Sequence, residues 1–465
     1  MRVRVTAVAA AVCLVALASC SEAAPEADTT EADTTGAGTA TTVADTAVST
    51  TAESSTPETS GAPATTESPQ DPCVVGDRVE CARASTIVDL VPDVATEASG
   101  EPIRLGMVNQ ENTAAGSFPE LSIAARAAID FLNAELGGIN GRPIEFTVCN
   151  TEFSAEGSSA CAQQFVEDGV VAVLGGIDIF GNAVEILDSN SIPYVGGIPV
   201  STQSVTSPNS FQWSGGIWGA TVAFAHHAVT EANASKVSIL YGEFGSISAA
   251  AEYGETVLEA SGVEVQMVPF PIVSTDISSA LAAAASSNPD AIFILASDAG
   301  CKSGFDGLAA LDIDVTAYFV GACAASSIIG QVDASKTNGL LFNVEGPVTA
   351  AANQNPDGLI FNAILAEYTD GLAPSGAGTV TFRATMNLLM VLDQIEGDIT
   401  PAAIIEALRS QVDAPSFNGH PYTCDGNQFS GLPAMCSPQQ IIVRMDDRTL
   451  TQVSDWIDVG AIYGG

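Results

Sequence analysis

Eight cysteines carry the clearest spacing signal in the chain. Cys73, Cys81, Cys149, Cys161, Cys301, Cys323, Cys424 and Cys436 fall into four local couples: 73–81, 149–161, 301–323 and 424–436. An even set in an exported chain favours disulfides, each stabilising by roughly 2–4 kcal/mol. Zinc binding is the alternative and is poorly served. No C-x-x-C occurs, and His226, His227 and His420 stand at no ligand spacing from a cysteine. His226 and His227 are neighbours on a helix expected over about 216–232, so they point to different sides and read as structural. Enzyme motifs are missing too. There is no G-x-S-x-G elbow, no G-x-x-x-x-G-K-[ST] loop and no H-E-x-x-H, and Gly175-Gly176 lacks dinucleotide-loop spacing. No cofactor is called for, and an enzyme is not expected.

The elements that must position the remaining chemistry alternate from Ile103 onward. Short continuous apolar runs, among them Val171–Leu174, Val237–Leu240, Ala291–Leu295 and Ala317–Val320, read as strands buried on both faces. Amphipathic segments separate them. In the first, Leu121, Ala124, Ala125, Ala128, Ile129, Leu132 and Leu136 share one helical face, with Pro119 in its first turn and Gly137 at its end. Repeated strand–helix–strand units predict an α/β fold with parallel sheets. About ten strands fit two sheets better than one.

Composition narrows the partners. The 465 residues hold 14 Lys+Arg against 55 Asp+Glu, a net charge of −41, which repels nucleic acid and anionic membrane surfaces. No apolar run reaches the roughly 18 residues needed to span a bilayer. Arg2 and Arg4 precede the apolar stretch Val5–Ser19, the pattern of an export signal. Its ending, Leu17-Ala18-Ser19-Cys20, resembles the lipobox of bacterial lipoproteins. That resemblance implies acylation of Cys20 and a lipid anchor on the outer face of the cell membrane. Residues 21–72 carry ten acidic groups, no basic one, and only Val43 and Val48 as larger apolar side chains, so they read as a disordered leash.

The stretch Phe131-Leu-Asn-Ala-Glu-Leu-Gly-Gly-Ile-Asn-Gly-Arg-Pro-Ile-Glu145 is a helix stopped by two glycines, a turn at Asn140-Gly141, then a strand. It resembles the N-x-x-G-G-I-N-G-R-x-I-E segment of type I periplasmic solute-binding proteins, in their branched-chain amino-acid binding branch. Val170–Gly176, Ser191–Val195 and Lys236–Leu240 match in order and spacing. The resemblance implies two Rossmann-like lobes joined by three crossovers. On this chain lobe 1 is expected over 101–217 and 347–448, and lobe 2 over 218–346 and 449–465. Residues 73–100 form a Cys-containing extension outside it. Trp213–Ile217 and Glu345–Pro347 are the expected hinge segments. The implied function is capture of a small polar ligand, such as an amino acid or amide, for an ABC-type permease. A sensory receptor working through a signalling partner shares every one of these features.

Ligands of open parallel sheets lie beyond the carboxyl ends of strands. Five loops qualify, and within them the expected contacts are Asn109, Asn112, Asp178, Phe180, Ser201, Thr202, Phe244, Ser246, Ser297 and Asp298. Two departures from the amino-acid binders stand out. The loop after the third strand reads Gly-Ile-Asp-Ile-Phe instead of Ser/Thr-rich, and Gly321-Ala-Cys323 stands where the family often places an acid for the ammonium group. Amides, polyols, cations and aromatic solutes therefore stay open beside amino acids.

Overall fold

A computed structural model describes residues 73, 77–113, 116–348 and 355–464. The leader at 1–20, the acidic stretch 21–72 and acylation of Cys20 lie outside these residues. The described residues all belong to one compact unit.

The strands are β1 (Ile103–Asn109), β2 (Ile144–Asn150), β3 (Ala172–Gly175), β4 (Tyr194–Val195), β5 (Ser210–Phe211), β6 (Lys236–Glu243), β7 (Glu264–Pro271), β8 (Ala291–Leu295), β9 (Thr316–Phe319), β10 (Leu341–Val344), β11 (Ile441–Asp446) and β12 (Thr449–Gln452). The helices that matter to the site are α1 (Arg78–Arg83), α2 (Pro119–Glu135), α3 (Ala155–Asp168), α4 (Asn182–Ser189), α5 (Thr202–Thr206), α6 (Gly216–Thr230), α7 (Gly245–Ala260), α8 (Asp298–Ala310), α9 (Pro356–Tyr368) and α10 (Gly378–Asp393).

Local chemistry accounts for these boundaries. Helix α2 starts at Pro119, whose missing N–H costs nothing in a first turn, and it ends before Gly137 and Gly138, both at positive φ. Strand β8, Ala-Ile-Phe-Ile-Leu, is buried at every position, as a strand covered by helices on both faces must be.

The strands form two sheets. The first has the order β2-β1-β3-β4-β5 and is parallel throughout. The second has the order β12-β11-β10-β9-β8-β6-β7. Strands β6 to β10 pair in parallel, while β11 pairs antiparallel with β10, and β12 with β11. This moves one expected boundary. Residues 441–448 were assigned to lobe 1, yet Val344 pairs with Ile441 and Leu341 with Arg444, so β11 belongs to the second sheet. The third crossover therefore precedes β11, near Ser437–Gln440.

Each sheet has its own core, with helices on both faces. The first lobe's core takes in α2, α9 and α10, and the 73–100 segment joins it through Val79, Ile87 and Leu90. That segment is fastened by Arg78 to Glu135 and by Thr86 to Asp357. The second lobe has one cluster on each face of its sheet. His227 lies against Tyr318 of the first of these, with Nδ1 2.9 Å from the Tyr318 hydroxyl; burial holds its pKa down, which fits a structural residue. All four expected cysteine couples are disulfide-bonded. No helix among the described residues is long and apolar enough to cross a membrane.

Candidate functional site

The carboxyl ends of both sheets meet around one cavity of about 390 Å³. Its wall follows the strand ends in order. Gln110 comes after β1, Phe153 after β2, Ile177 and Ile179 after β3, and Ile198 and Val200 after β4. From the second sheet come Ile272 after β7, Leu295 to Ser297 at the end of β8, Val320 to Ala322 after β9, and Asn343 to Glu345 at the end of β10. Most of this wall is aliphatic or aromatic. Phe153 holds its place at φ 52, a backbone region that a bulky residue rarely occupies, and its ring meets Phe180 edge-on.

Three crossovers converge on the cavity base, and a single carboxylate ties them together. Glu345 Oε1 accepts from Ser214 Oγ at 2.8 Å and Gly215 N at 2.9 Å in the first crossover. It also accepts from Gln440 Nε2 at 2.8 Å in the third. Its own backbone is the second crossover. Oε2 takes Arg383 Nη2 of α10 at 2.7 Å, and the same guanidinium donates to the carbonyls of Trp213 and Glu345. Both side chains are buried. The network runs on into the second lobe: Gln440 Oε1 accepts from Asn343 Nδ2, and Asn343 Oδ1 accepts from Gly321 N. Gly216, at φ 53, makes the first crossover possible, because a Cβ there would stand 2.2 Å from the Pro199 carbonyl oxygen.

Charge in the wall leaves one cation over. Its charged residues are Glu345, Arg383 and Arg448. The first two neutralise each other. Arg448 is exposed and donates to the carbonyls of Ile329 and Val332. Among the described residues no group of His, Cys, Asp or Glu is placed to hold a metal ion.

The expected contact residues sit around this cavity, but only Ser297 lines it. Asn109 is fully buried. Its amide nitrogen donates to Glu111 and the Phe118 carbonyl, and its oxygen accepts from Ile177 N. Asn112 is exposed at φ 56. Asp178 accepts from Ser158 Oγ at 2.6 Å and from Phe180 N, and burial raises its pKa against these bonds. Ser201 caps α5 through Ser204 N, and Thr202 is an exposed first-turn residue. Phe180 and Phe244 meet edge-on across the cleft with ring centroids 5.5 Å apart. Ser246 is buried in the first turn of α7, its hydroxyl without a partner. Asp298 accepts from Ser117 N of the other lobe at 3.1 Å.

The lining residues that sequence reasoning missed are their apolar neighbours: Ile177 and Ile179 beside Asp178, Ile198 and Val200 before Ser201, and Ile247 after Ser246. Arg383 was also missed. A lone arginine in a buried helical face, in a chain so poor in cations, was the available signal.

The comparisons agree with this geometry. The profile of the family described as periplasmic binding protein matches residues 102–431. No curated protein matches the chain in sequence. Among solved structures, it resembles the leucine-binding protein LivK from Thermotoga maritima at 16% identity, covering 76% of this chain and 98% of that one, with a TM-score of 0.65. It also resembles the branched-chain amino acid transporter substrate-binding protein LivJ from Streptococcus pneumoniae, determined with isoleucine, at 17% identity, 77% and 99% coverage and a TM-score of 0.61. An extracellular ligand-binding receptor from Rhodopseudomonas palustris matches at 18% identity, 76% and 100% coverage and a TM-score of 0.62. At these identities the structural likeness speaks for the fold. Since the family profile spans most of the folded part, the chain belongs to the periplasmic binding proteins.

Proposed function

We propose that this protein is an extracytoplasmic solute-binding lipoprotein. It captures a small, largely apolar and uncharged molecule between its lobes, releases it chemically unaltered, and delivers it to an ABC-type permease. The observation that carries this reading is the cavity itself, walled from both sheets and floored by the three crossovers. The charge state of the ligand follows from the wall. A zwitterion would need a free carboxylate for its ammonium group, and Glu345 already accepts from four donors. A carboxylate would meet Arg383 with Glu345 beside it, or Arg448 at an exposed position where water already solvates the guanidinium. Bringing either ion out of water without a counter-charge costs several kcal/mol, a cost that an uncharged amide avoids.

Three compounds with one carbon skeleton test this: 4-methylpentanamide, 4-methylpentanoate and leucine. The skeleton is that of the ligand named for the LivK relative. Calorimetric titration is expected to rank the amide first, with the two charged forms at least tenfold weaker. Tightest binding by leucine contradicts the uncharged class. Crosslinking in membranes followed by identification of the captured subunits tests the permease: recovery of a signalling protein instead turns the reading to a sensor.

A further inference from the structure

The cavity exceeds what a leucine skeleton fills. An apolar cavity of about 150 Å³ takes benzene, with its six carbons, so one of about 390 Å³ holds roughly fifteen non-hydrogen atoms at the same packing. 4-Methylpentanamide has eight.

Topology shows where the surplus lies. Most of the wall follows the carboxyl ends of the strands, but Ile329, Met445, Arg448 and Leu450 line it too. Strand β11 runs antiparallel to β10, so its far end lies level with the start of β10, where Met445 N donates to the Leu340 carbonyl at 2.9 Å. Glu345 follows the other end of that strand. Leu340 and Glu345 stand five residues apart, so the wall between these levels runs for about 16 Å at roughly 3.3 Å per residue. The cavity therefore continues beyond the crossovers as an arm along β10.

Contacts from both lobes fix the walls of this arm. Asp447 and Arg448 turn the β11–β12 hairpin at φ 50 and 62, the left-handed geometry of a two-residue connection. From that turn Arg448 donates to the carbonyls of Ile329 and Val332, which fastens the hairpin tip to the chain that follows β9. The first lobe supplies Pro374 and Val380 to the lining. Between them Gly376, at φ 77, passes so near Ala325 of the second lobe that a Cβ would stand 2.9 Å from its Cα. Arg448 itself is exposed, so the arm ends in water.

We propose that this arm is a second subsite and that the ligand is elongated, with about fifteen non-hydrogen atoms. One end lies between Ile177 and Ile217, and an uncharged, apolar tail runs beside Met445 and Leu450. The inference rests on the uncharged-ligand reading above and adds length and shape to it.

The test is calorimetric titration of the full chain with 6-phenylhexanamide, which has fourteen non-hydrogen atoms, against 4-methylpentanamide. A buried methylene is worth about fourfold in affinity, so six further carbons, even partly buried, should tighten binding at least about a hundredfold. Leu450→Glu places a charge in the arm, on the half-buried face of the edge strand β12, and should cut that ratio below tenfold. A melting curve without ligand checks that the variant is folded. Equal or weaker binding of the longer amide to the unmodified protein overturns the arm, and no variant is needed to see it. An unchanged ratio in folded Leu450→Glu overturns the placement of the tail. If neither amide binds, the uncharged-ligand reading falls and the inference with it; if only the shorter one binds, the arm alone falls.

Discussion

Arg383 of the first lobe and Glu345 of the second crossover form a buried ion pair with Nη2 2.7 Å from Oε2, at the point where all three crossovers meet. Two charges taken out of water at a hinge need many partners. Glu345 has four side-chain or backbone donors, and Arg383 adds two carbonyls. The pair lines the cavity between the lobes as well, so on the proposed reading the residues that fix the crossovers are those a captured solute would lie against.

Glu345→Ala should destabilise the fold by about 3–5 kcal/mol, because it leaves Arg383 buried with no counter-charge. Denaturant unfolding measures this. A loss below about 1 kcal/mol would mean that the crossovers are held by their backbone alone.

Phe180 and Phe244 meet across the cleft away from the hinge, and such an edge contact is worth about 0.5–1.5 kcal/mol. Phe244→Ala should therefore weaken binding of the preferred ligand by roughly 2- to 13-fold while unfolding without ligand shifts little. An unchanged affinity in titration calorimetry would place this contact outside the closing step.

The fold was legible because it rests on local rules. Pro119 and Gly137 bracket α2 as read, and the apolar run Ala291–Leu295 is β8 residue for residue. The exit of β11 to the second sheet was not legible. Ile441-Ile-Val443 looks like any buried strand, and its partner β10 lies about a hundred residues away in sequence.

The site was legible as loops but less so as residues. Polar side chains in those loops were expected to face the ligand. Asp178 answers instead to Ser158 Oγ and the Phe180 N–H, and Ser201 caps α5 through Ser204 N, obligations that sequence spacing does not reveal. That leaves Ile177, Ile179, Ile198 and Val200 on the wall.

The most direct measurement is a crystal structure of the chain grown with whichever of the three six-carbon probes binds tightest. The account predicts the amide, intact, between Ile177 of the first lobe and Ile217 of the second, with no ion at the Glu345–Arg383 pair. Density for the probe outside this cavity, or for a cleaved product within it, would contradict the account.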